Sequence, residues 1–264
     1  MKAPQKSLIS LTAAACALVF SSVASFAEPV DLTTLPPNST VATGQKFSES
    51  KKAGVVRVLL VGSGSSHNFP AFFMKMDSET LQAAGFETAA TLNSAEALTL
   101  LPEADVVVCS GNDGKQWGSK DWQAALTAHA DAGKGVVVLH AGCWVHPFAE
   151  GNYNKRFVAG GSKGHGGGEF EVEVVKPDHP TMAEVPAKFT IKDESYLHNF
   201  DEGADYTILA NNGKGAKPHA SVWVVNDPKT RIVCMTLGHD DKAHSHPAYM
   251  KILTNAVKWV SSKN

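Results

Sequence analysis

Short apolar runs alternate with helix-like segments along residues 55–139, and this alternation constrains the fold more than any other feature of the sequence. The clearest run is Gly135–Leu139, which leads directly into His140. An apolar run of this length is typical of a parallel strand that is buried on both faces. Three comparable runs precede it, at residues 55–61, 86–92 and 105–110.

Helix signals separate the predicted strands. Pro70 suits the first turn of one helix and Gly85 its end, while Ser94 and Ser119 are the predicted N-caps of two others. Strands and helices in alternation predict an α/β fold with a doubly wound, mostly parallel sheet flanked by helices.

The C-terminal half of the chain changes character. Residues 153–168 are rich in glycine and are predicted to be irregular, and a closing helix is predicted at 247–260. Between them we expect extra strands of the same domain, some of them antiparallel. These runs lie at residues 170–175, 189–191, 206–210, 222–225 and 232–236.

The first 27 residues are typical of an export signal. Lys2 and Lys6 precede a mostly apolar stretch at residues 8–20, and small residues predict cleavage after Ala27. The apolar stretch is short for a permanent membrane span, and a retained anchor is the alternative. We therefore expect a periplasmic or secreted protein with no stable membrane span after cleavage.

Composition and length bound the rest of the chain. Without the two lysines of the predicted signal, 22 basic residues face 26 acidic ones, a formal charge of −4, which argues against a nucleic-acid partner. Residues 28–54 are predicted to form a polar arm or linker, and residues 55–264 a single α/β domain. The three remaining cysteines, Cys109, Cys143 and Cys234, are too few for a disulfide framework.

A glycine loop follows the first predicted strand but does not match a dinucleotide-binding motif. Gly62 and Gly64 begin the pattern, yet His67 stands where the third glycine belongs, and Glu87 is too early to be the ribose-binding acid. No phosphate-binding Walker sequence is present either. The sequence therefore disfavours nicotinamide binding.

Several histidines follow predicted strands directly. In an open α/β sheet the carboxyl ends of the strands form the ligand-binding crevice. His67, His140 and His239 occupy such positions, and His165 lies in the glycine-rich segment. Alone, His140 has two interpretations, a functional group in the crevice or a structural cap of its strand.

Neutral imidazoles beside carboxylates can act as general bases or as metal ligands. The candidate carboxylates for this crevice are Glu194 and Asp240. A compact metal motif such as His-Glu-x-x-His is absent, so a divalent ion such as zinc is only a candidate cofactor. Its candidate ligands are His67, His165 and His239.

Five short motifs, in order, carry a resemblance to a known family. The chain resembles ThuA-like proteins, named for trehalose utilisation, of the class I glutamine amidotransferase-like superfamily, over about residues 55–260. The motifs are Leu139-His140-Ala141-Gly142, Gly160-Gly161 with Gly164-His165, Asp178-His179-Pro180, Asp193-Glu194-Ser195-Tyr196 and Gly238-His239-Asp240.

The resemblance also contains departures. Amidotransferases of the superfamily carry a cysteine nucleophile at the turn where this chain has His140, and Cys143 comes three residues too late. Glutaminase activity is therefore not expected. The family often has a Leu where this chain has Ser195. The resemblance implies a flavodoxin-like fold and a role in carbohydrate metabolism, with a partner oxidoreductase that makes 3-keto sugars.

On this basis we expect an enzyme acting on a glycoside, disaccharide or 3-keto sugar. His140 would be the central acid or base, Glu194 and His239 would act on sugar hydroxyls, and Asp240 would orient His239. The alternatives are a non-catalytic sugar-binding module and a metal-dependent hydrolase that uses the same histidines. The predicted substrate-binding residues are His67, Asn68, Asn112, Trp144, His165 and Tyr196.

Overall fold

The computed structural model describes Met1 and residues 29–146, 152–212 and 218–262. Apart from Met1, the predicted export signal lies outside the described residues. The strands are β1 (Arg57–Val61), β2 (Glu87–Thr91), β3 (Val106–Cys109), β4 (Gly135–Leu139), β5 (Gly160–Val174), β6 (Lys188–Phe200), β7 (Tyr206–Asn212), β8 (His219–Val225) and β9 (Ile232–Met235). The α-helices are α1 (Asp77–Ala83), α2 (Ser94–Leu100), α3 (Gly114–Trp117), α4 (Lys120–Asp131), α5 (Asp241–His244) and α6 (Pro247–Ser261).

Five strands form the parallel part of one mixed sheet. The order of all nine strands is β2-β1-β3-β4-β9-β8-β7-β5-β6, and the pairs from β2 to β9 run parallel. Each residue of β1 and β4 is buried, as the apolar runs at residues 58–61 and 135–139 predict. The predicted doubly wound α/β fold is confirmed.

The C-terminal strands extend the sheet in antiparallel pairs. Strand β9 pairs with β8, β8 with β7, β7 with β5, and β5 with β6. Strand β6 also reaches back towards β8, where Nδ1 of His219 contacts the carbonyl oxygen of His198 at 3.0 Å. With this contact, the middle of β6 lies near the carboxyl ends of the parallel strands.

Alternate residues of the parallel strands build a core on each face of the sheet. Val58 and Leu60 of β1 belong to one apolar cluster, which also includes Ile252 of helix α6. Leu59 and Val61 point the other way and join a second cluster with Leu126 of helix α4. The period-two alternation of a strand therefore accounts for helices on both faces.

The segment before β1 packs along the edge of the sheet. Gln45 forms an antiparallel bridge with Ala90 of β2, and Phe47 is buried in the core. The carboxylate of Glu96 accepts hydrogen bonds from the backbone nitrogens of Thr43, at 2.8 Å, and Gly44, at 2.9 Å. These contacts attach residues 43–47 to the domain.

Three local expectations need correction. Asn93, not Ser94, caps helix α2, because its side chain accepts hydrogen bonds from Ala95 and Glu96. The glycine-rich segment from Gly160 is not irregular, since it forms the first half of β5 with a bulge between Ser162 and His165. Finally, the 189–191 run is part of the much longer strand β6.

No helix among the described residues is long and apolar enough to span a membrane.

Candidate functional site

The histidines predicted at strand ends meet at one edge of the sheet. His67 follows β1, His140 follows β4, and His239 follows β9, so that parallel pairing brings them to the same edge. Glu194 of β6 joins them from the antiparallel extension. In the parallel order β2-β1-β3-β4-β9, this edge includes the point where the chain reverses its direction of winding, which is the usual ligand site of such folds.

His140 sits in a strained elbow. Its φ angle is +41°, a left-handed conformation that non-glycine residues adopt rarely and that concentrates at functional sites. The side chain is fully buried. Its Nδ1 lies 2.5 Å from the carbonyl oxygen of Thr236. Because a carbonyl only accepts, Nδ1 carries a proton, and Nε2 faces His67 and Glu194.

His67 faces His140 across a short gap. The two Nε2 atoms are 3.0 Å apart. On the far side of the ring, Nδ1 lies 2.6 Å from Oγ of Ser66, which in turn accepts from Nδ2 of Asn112 at 2.8 Å. Burial and the neighbouring histidines lower the pKa of His67 to about 2, so its ring is neutral in ordinary conditions.

Glu194 contacts all four histidines of the edge. Its Oε2 lies 3.3 Å from Nε2 of His140 and 4.0 Å from Nε2 of His67. Its Oε1 lies 3.4 Å from Nδ1 of His165 and 3.3 Å from Nδ1 of His239. Burial raises the pKa of Glu194, but the contacts with His140 and His239 outweigh it and hold the pKa well below its usual value. The carboxylate is therefore ionised.

His239 lies nearest to solvent within the group of His67, His140, His239 and Glu194. Its side chain is 36% exposed, against 5% for His67 and 0% for His140. Its Nδ1 is nonetheless buried and has no well-directed hydrogen bond among the described residues. The adjacent carboxylate of Glu194 raises the pKa of His239.

Asp240, predicted to orient His239, makes no hydrogen bond with the ring of His239 among the described residues. Its carboxylate caps helix α5 by accepting from the backbone nitrogens of Lys242 and Ala243. That position suits the N-terminal end of a helix, where orphan N–H groups need acceptors. Asp193 contacts the His239 backbone instead, and it is the residue that sequence reasoning missed, although the adjacent acids Asp193 and Glu194 were a visible signal.

The remaining predicted residues divide between the site and the scaffold. Tyr196 is almost fully buried between His140 and Trp144, at ring distances of 4.5 and 5.3 Å. Asn68 accepts a hydrogen bond from Ala71 in the helical turn that precedes α1 and has a local role. His165 lies on the solvent side of Glu194, with 41% of its side chain exposed.

A cavity of about 760 Å³ lies next to this group. Its volume is in the range of small-molecule sites. Trp144 and Asn112 line it, and both contact the site, through Tyr196 and Ser66 respectively. The other lining residues are Asn38, Gly64, Ser65, Asp113, Gly114, Lys115, Val145 and His146.

Four of the edge residues form a group that could hold a metal ion. One donor atom from each of His67, His140, His239 and Glu194 lies within 4.8 Å of the other three. The sequence named His165 among the candidate ligands and placed His140 and Glu194 in catalytic roles only. The structure leaves His165 outside this group of four.

Residues 43–260 match one protein family, ThuA, described as trehalose utilisation. The chain belongs to the ThuA family. Its fold is similar to ThuA-like proteins of Parabacteroides merdae, with a TM-score of 0.67 at 18% identity, and Bacteroides uniformis, with 0.64 at 18%. The first match covers 79% of this chain and 90% of the other, and the second 81% and 95%.

Amidotransferase-like folds are similar to this ThuA chain at lower identity. PurLQS of Thermotoga maritima matches with a TM-score of 0.54 at 10% identity, covering 78% of this chain and 99% of the other. No curated protein matches the sequence. In this ThuA chain Cys143 is fully buried, and its Sγ faces the carbonyl oxygens of Val138 and Met235. That burial argues against its use as an amidotransferase nucleophile.

Proposed function

We propose that the protein is a metal-dependent enzyme of sugar metabolism in which His67, His140, His239 and Glu194 bind one divalent cation. The observation that carries the proposal is the convergence of four donor atoms from four separate chain segments within 4.8 Å. Imidazole nitrogens with one carboxylate form a ligand set suited to zinc and related first-row ions.

The separations of the donor atoms support this proposal. Ligands about 2.1 Å from a tetrahedral ion lie roughly 3.4 Å from one another. The Nε2 atoms of His67 and His140 are 3.0 Å apart. Oε2 of Glu194 lies 3.3 Å from Nε2 of His140 and 4.0 Å from Nε2 of His67. Small side-chain movements would bring all three into coordination distance.

The tautomers also fit. The carbonyl of Thr236 fixes the proton of His140 on Nδ1, which leaves Nε2 free to coordinate. For His67, the hydroxyl of Ser66 can either donate to Nδ1 or accept from it. When the hydroxyl accepts, the Nε2 lone pairs of His67 and His140 both point at the gap between the two rings. A cation in that gap would relieve the repulsion between these lone pairs.

This proposal gives His140 a different role from the one expected from sequence. Its burial and its contacts suit a ligand better than an acid or base that must touch a substrate. A bound cation can polarise a carbonyl and can lower the pKa of a water molecule enough to supply a base at neutral pH. His165 and Trp144, on the open side, are then the residues that contact the substrate.

The proposed substrate is a glycoside, disaccharide or 3-keto sugar, in keeping with the family description. The carbonyl of a 3-keto sugar would bind the cation and would acidify the neighbouring C–H, so that one base could start an elimination or isomerisation. The indole face of Trp144 offers an apolar surface for a sugar ring. A partner oxidoreductase would supply the keto form, and the predicted signal would place the reaction outside the cytoplasm.

The experiment combines metal analysis with turnover. The purified protein, stripped with a chelator and reloaded with zinc, is incubated with trehalose, simple glucosides and their 3-keto forms under NMR observation. We expect conversion only by the reloaded protein and none by His239→Ala. The control is His246→Asn, which removes a histidine but keeps the cap of helix α6.

The outcomes separate the candidate functions. Conversion that persists without metal would overturn the metal centre and return His140 to an acid–base role. Saturable sugar binding without turnover, in the presence of the oxidised substrate and zinc, would instead identify a non-catalytic binding module.

A further inference from the structure

The backbone of Gly238 and His239 is held by side chains from two other parts of the chain. Asp193 of β6 accepts hydrogen bonds from both backbone nitrogens, at 2.8 Å for Gly238 and 2.9 Å for His239. His244 of α5 contacts the carbonyl oxygen of Gly238 through Nε2 at 3.0 Å. The polar groups of the peptide link leading into His239 are thus bonded on both sides.

We propose that Asp193 and His244 are positioning residues that fix the backbone of His239 for cation binding. The inference rests on the proposed function, because it assigns these residues a role towards a ligand of that site. Neither side chain belongs to the four-residue group itself. Both act through the backbone of His239 rather than through its ring.

Asp193 joins two ligands with one carboxylate. Its Oδ1 accepts from the backbone nitrogen of Glu194 at 2.8 Å as well as from that of His239. The residue is only 5% exposed. A buried carboxylate that accepts three N–H groups has a fixed geometry. The relative position of Glu194 and His239 is therefore set by a single side chain.

His244 is held in turn by a second buried group. Its Nδ1 lies 2.7 Å from Oδ1 of Asp77, at the start of α1, and the hydroxyl of Tyr249 lies 3.1 Å from the other oxygen of that carboxylate. All three side chains are fully or almost fully buried. Nε2 of His244 donates to the carbonyl oxygen of Gly238, and Nδ1 contacts the carboxyl group of Asp77. Rotation of this ring would break both bonds.

The glycine at position 238 is required by this arrangement. Its φ angle is +120°, outside the range that L side chains adopt readily. An added Cβ would lie 3.1 Å from a ring carbon of Tyr249 and 3.3 Å from Nε2 of His244. Because Gly238 has no Cβ, the rings of Tyr249 and His244 can lie close to its backbone. His244 can therefore reach the carbonyl oxygen of Gly238.

A role in cation binding makes a quantitative prediction. Groups that orient metal ligands change metal affinity by about 10–100-fold when they are removed. In Asp193→Asn, the amide retains one oxygen acceptor, but its NH₂ group faces one of the three N–H donors. We therefore expect the zinc dissociation constant to rise by about 10–100-fold, because at least one of the backbone hydrogen bonds that hold Gly238, His239 and Glu194 is lost.

The experiment measures zinc affinity by competition with a chromogenic chelator, together with hydrogen exchange of the Gly238 and His239 amides in the metal-free protein. The matched control is Asp227→Asn. Asp227 is also a buried carboxylate that accepts two backbone N–H groups, from Lys229 and Thr230, but it lies before β9, at the opposite edge of the sheet. We expect the control to leave zinc affinity and both amides unchanged.

The outcomes distinguish this proposal from the proposed function. Failure of the wild type to bind zinc would overturn the metal centre. Tight binding by the wild type, with an unchanged dissociation constant and protected amides in Asp193→Asn, would overturn only the positioning role. An equal loss of affinity in Asp227→Asn would also overturn it, since the effect would then be general destabilisation.

A second variant keeps the test informative if Asp193→Asn does not fold. Tyr249→Phe removes one hydroxyl from Asp77 and leaves the aromatic packing in place. It should weaken zinc binding through His244, by less than Asp193→Asn does. Unchanged zinc affinity and unchanged exchange at Gly238 in this folded variant would contradict the role of His244.

Discussion

Nε2 of His140 lies 3.3 Å from Oε2 of Glu194, although one residue ends a strand of the parallel core and the other lies in the antiparallel extension. The contact joins the two halves of the sheet at the candidate site. A carboxylate placed there lowers the net charge of a cluster of three imidazoles and supplies the one anionic donor among them.

Replacing Glu194 with Gln should abolish tight metal binding. The neutral amide keeps the shape of the side chain but removes the anionic donor, so we expect zinc affinity to fall by more than about 100-fold. Isothermal titration with zinc measures the change. Glu171→Gln, at a half-buried position of the neighbouring strand β5, should bind zinc like the wild type. Equal affinity in both variants would exclude Glu194 as a ligand.

Replacing Ser66 with Ala should weaken metal binding by a smaller amount. The hydroxyl lies 2.6 Å from Nδ1 of His67, and by accepting from that atom it would favour the tautomer that leaves Nε2 free. We expect a loss of about 10-fold in zinc affinity, as for other groups that support a metal-bound histidine. Ser65→Ala is the matched control, because it removes a hydroxyl one residue away. A similar change in both variants would show that the loop, not the hydroxyl, matters.

Replacing Trp144 with Ala should raise KM with little effect on zinc affinity. The indole lines the cavity of about 760 Å³ and is not among the four donors. Loss of one aromatic contact with a sugar ring, about 0.5–1.5 kcal/mol, corresponds to a rise in KM of roughly 2–13-fold. Trp144→Phe keeps an aromatic face, so its KM should lie between those of the wild type and of Trp144→Ala. Unchanged kinetics in the Ala variant would place the substrate elsewhere.

Replacing Gly238 with Ala should destabilise the protein by about 1–3 kcal/mol, through backbone strain and contact with Tyr249. Urea unfolding monitored by fluorescence measures the change. Gly203→Ala is the matched control, because Gly203 also has a positive φ, of +73°, but an added Cβ there would meet nothing within 4 Å. A larger loss in the control would mean that the packing around Gly238 is looser than the structure indicates.

Stability should fall in mild acid because of buried histidines far from the site. Burial lowers the pKa of His129 to about 4 in the folded protein, against 6.5 in the unfolded chain. Between these values the unfolded state binds more protons, so stability decreases as pH falls below about 6.5. The loss from this one group is on the order of 2 kcal/mol at pH 5.

His129→Gln tests that assignment. Glutamine can keep a hydrogen bond to the carbonyl oxygen of Gly135, the contact that His129 makes at 3.2 Å, but it does not titrate. Urea unfolding at pH 8 and pH 5 should therefore show a smaller difference in the variant than in the wild type. Identical differences in the two proteins would show that His129 is protonated without cost in the folded state.

The parallel core could be predicted from sequence because each of its strands carries its own signal. Gly135–Leu139 is an uninterrupted apolar run, and the structure gives β4 these same bounds. The N-cap of α4 was also predictable, since Ser119 precedes the helix and accepts from Trp122. Asn93 was missed as the cap of α2 because it stands beside Ser94, and both residue types favour caps.

The site could be predicted only in part. That His67, His140 and His239 share one sheet edge follows from their positions after parallel strands. Glu194 was also placed in the site from sequence, but as a residue after a short strand. Its location inside the long strand β6 did not follow, because the return of that strand towards β8 depends on tertiary packing. The role of Asp193 was hidden for the same reason, since its partners are backbone groups of a distant loop.

The location of Glu194 also has a consequence for folding. Strand β6 is the last in the sheet order, whereas β1, which leads to His67, lies near the other end. A partly folded chain with only the parallel core would bring the three histidines together but lack the carboxylate. A cation that requires all four donors would bind only the finished sheet, and by mass action it would stabilise that state over such intermediates. The dependence of the unfolding rate on zinc concentration would then report on the docking of β6.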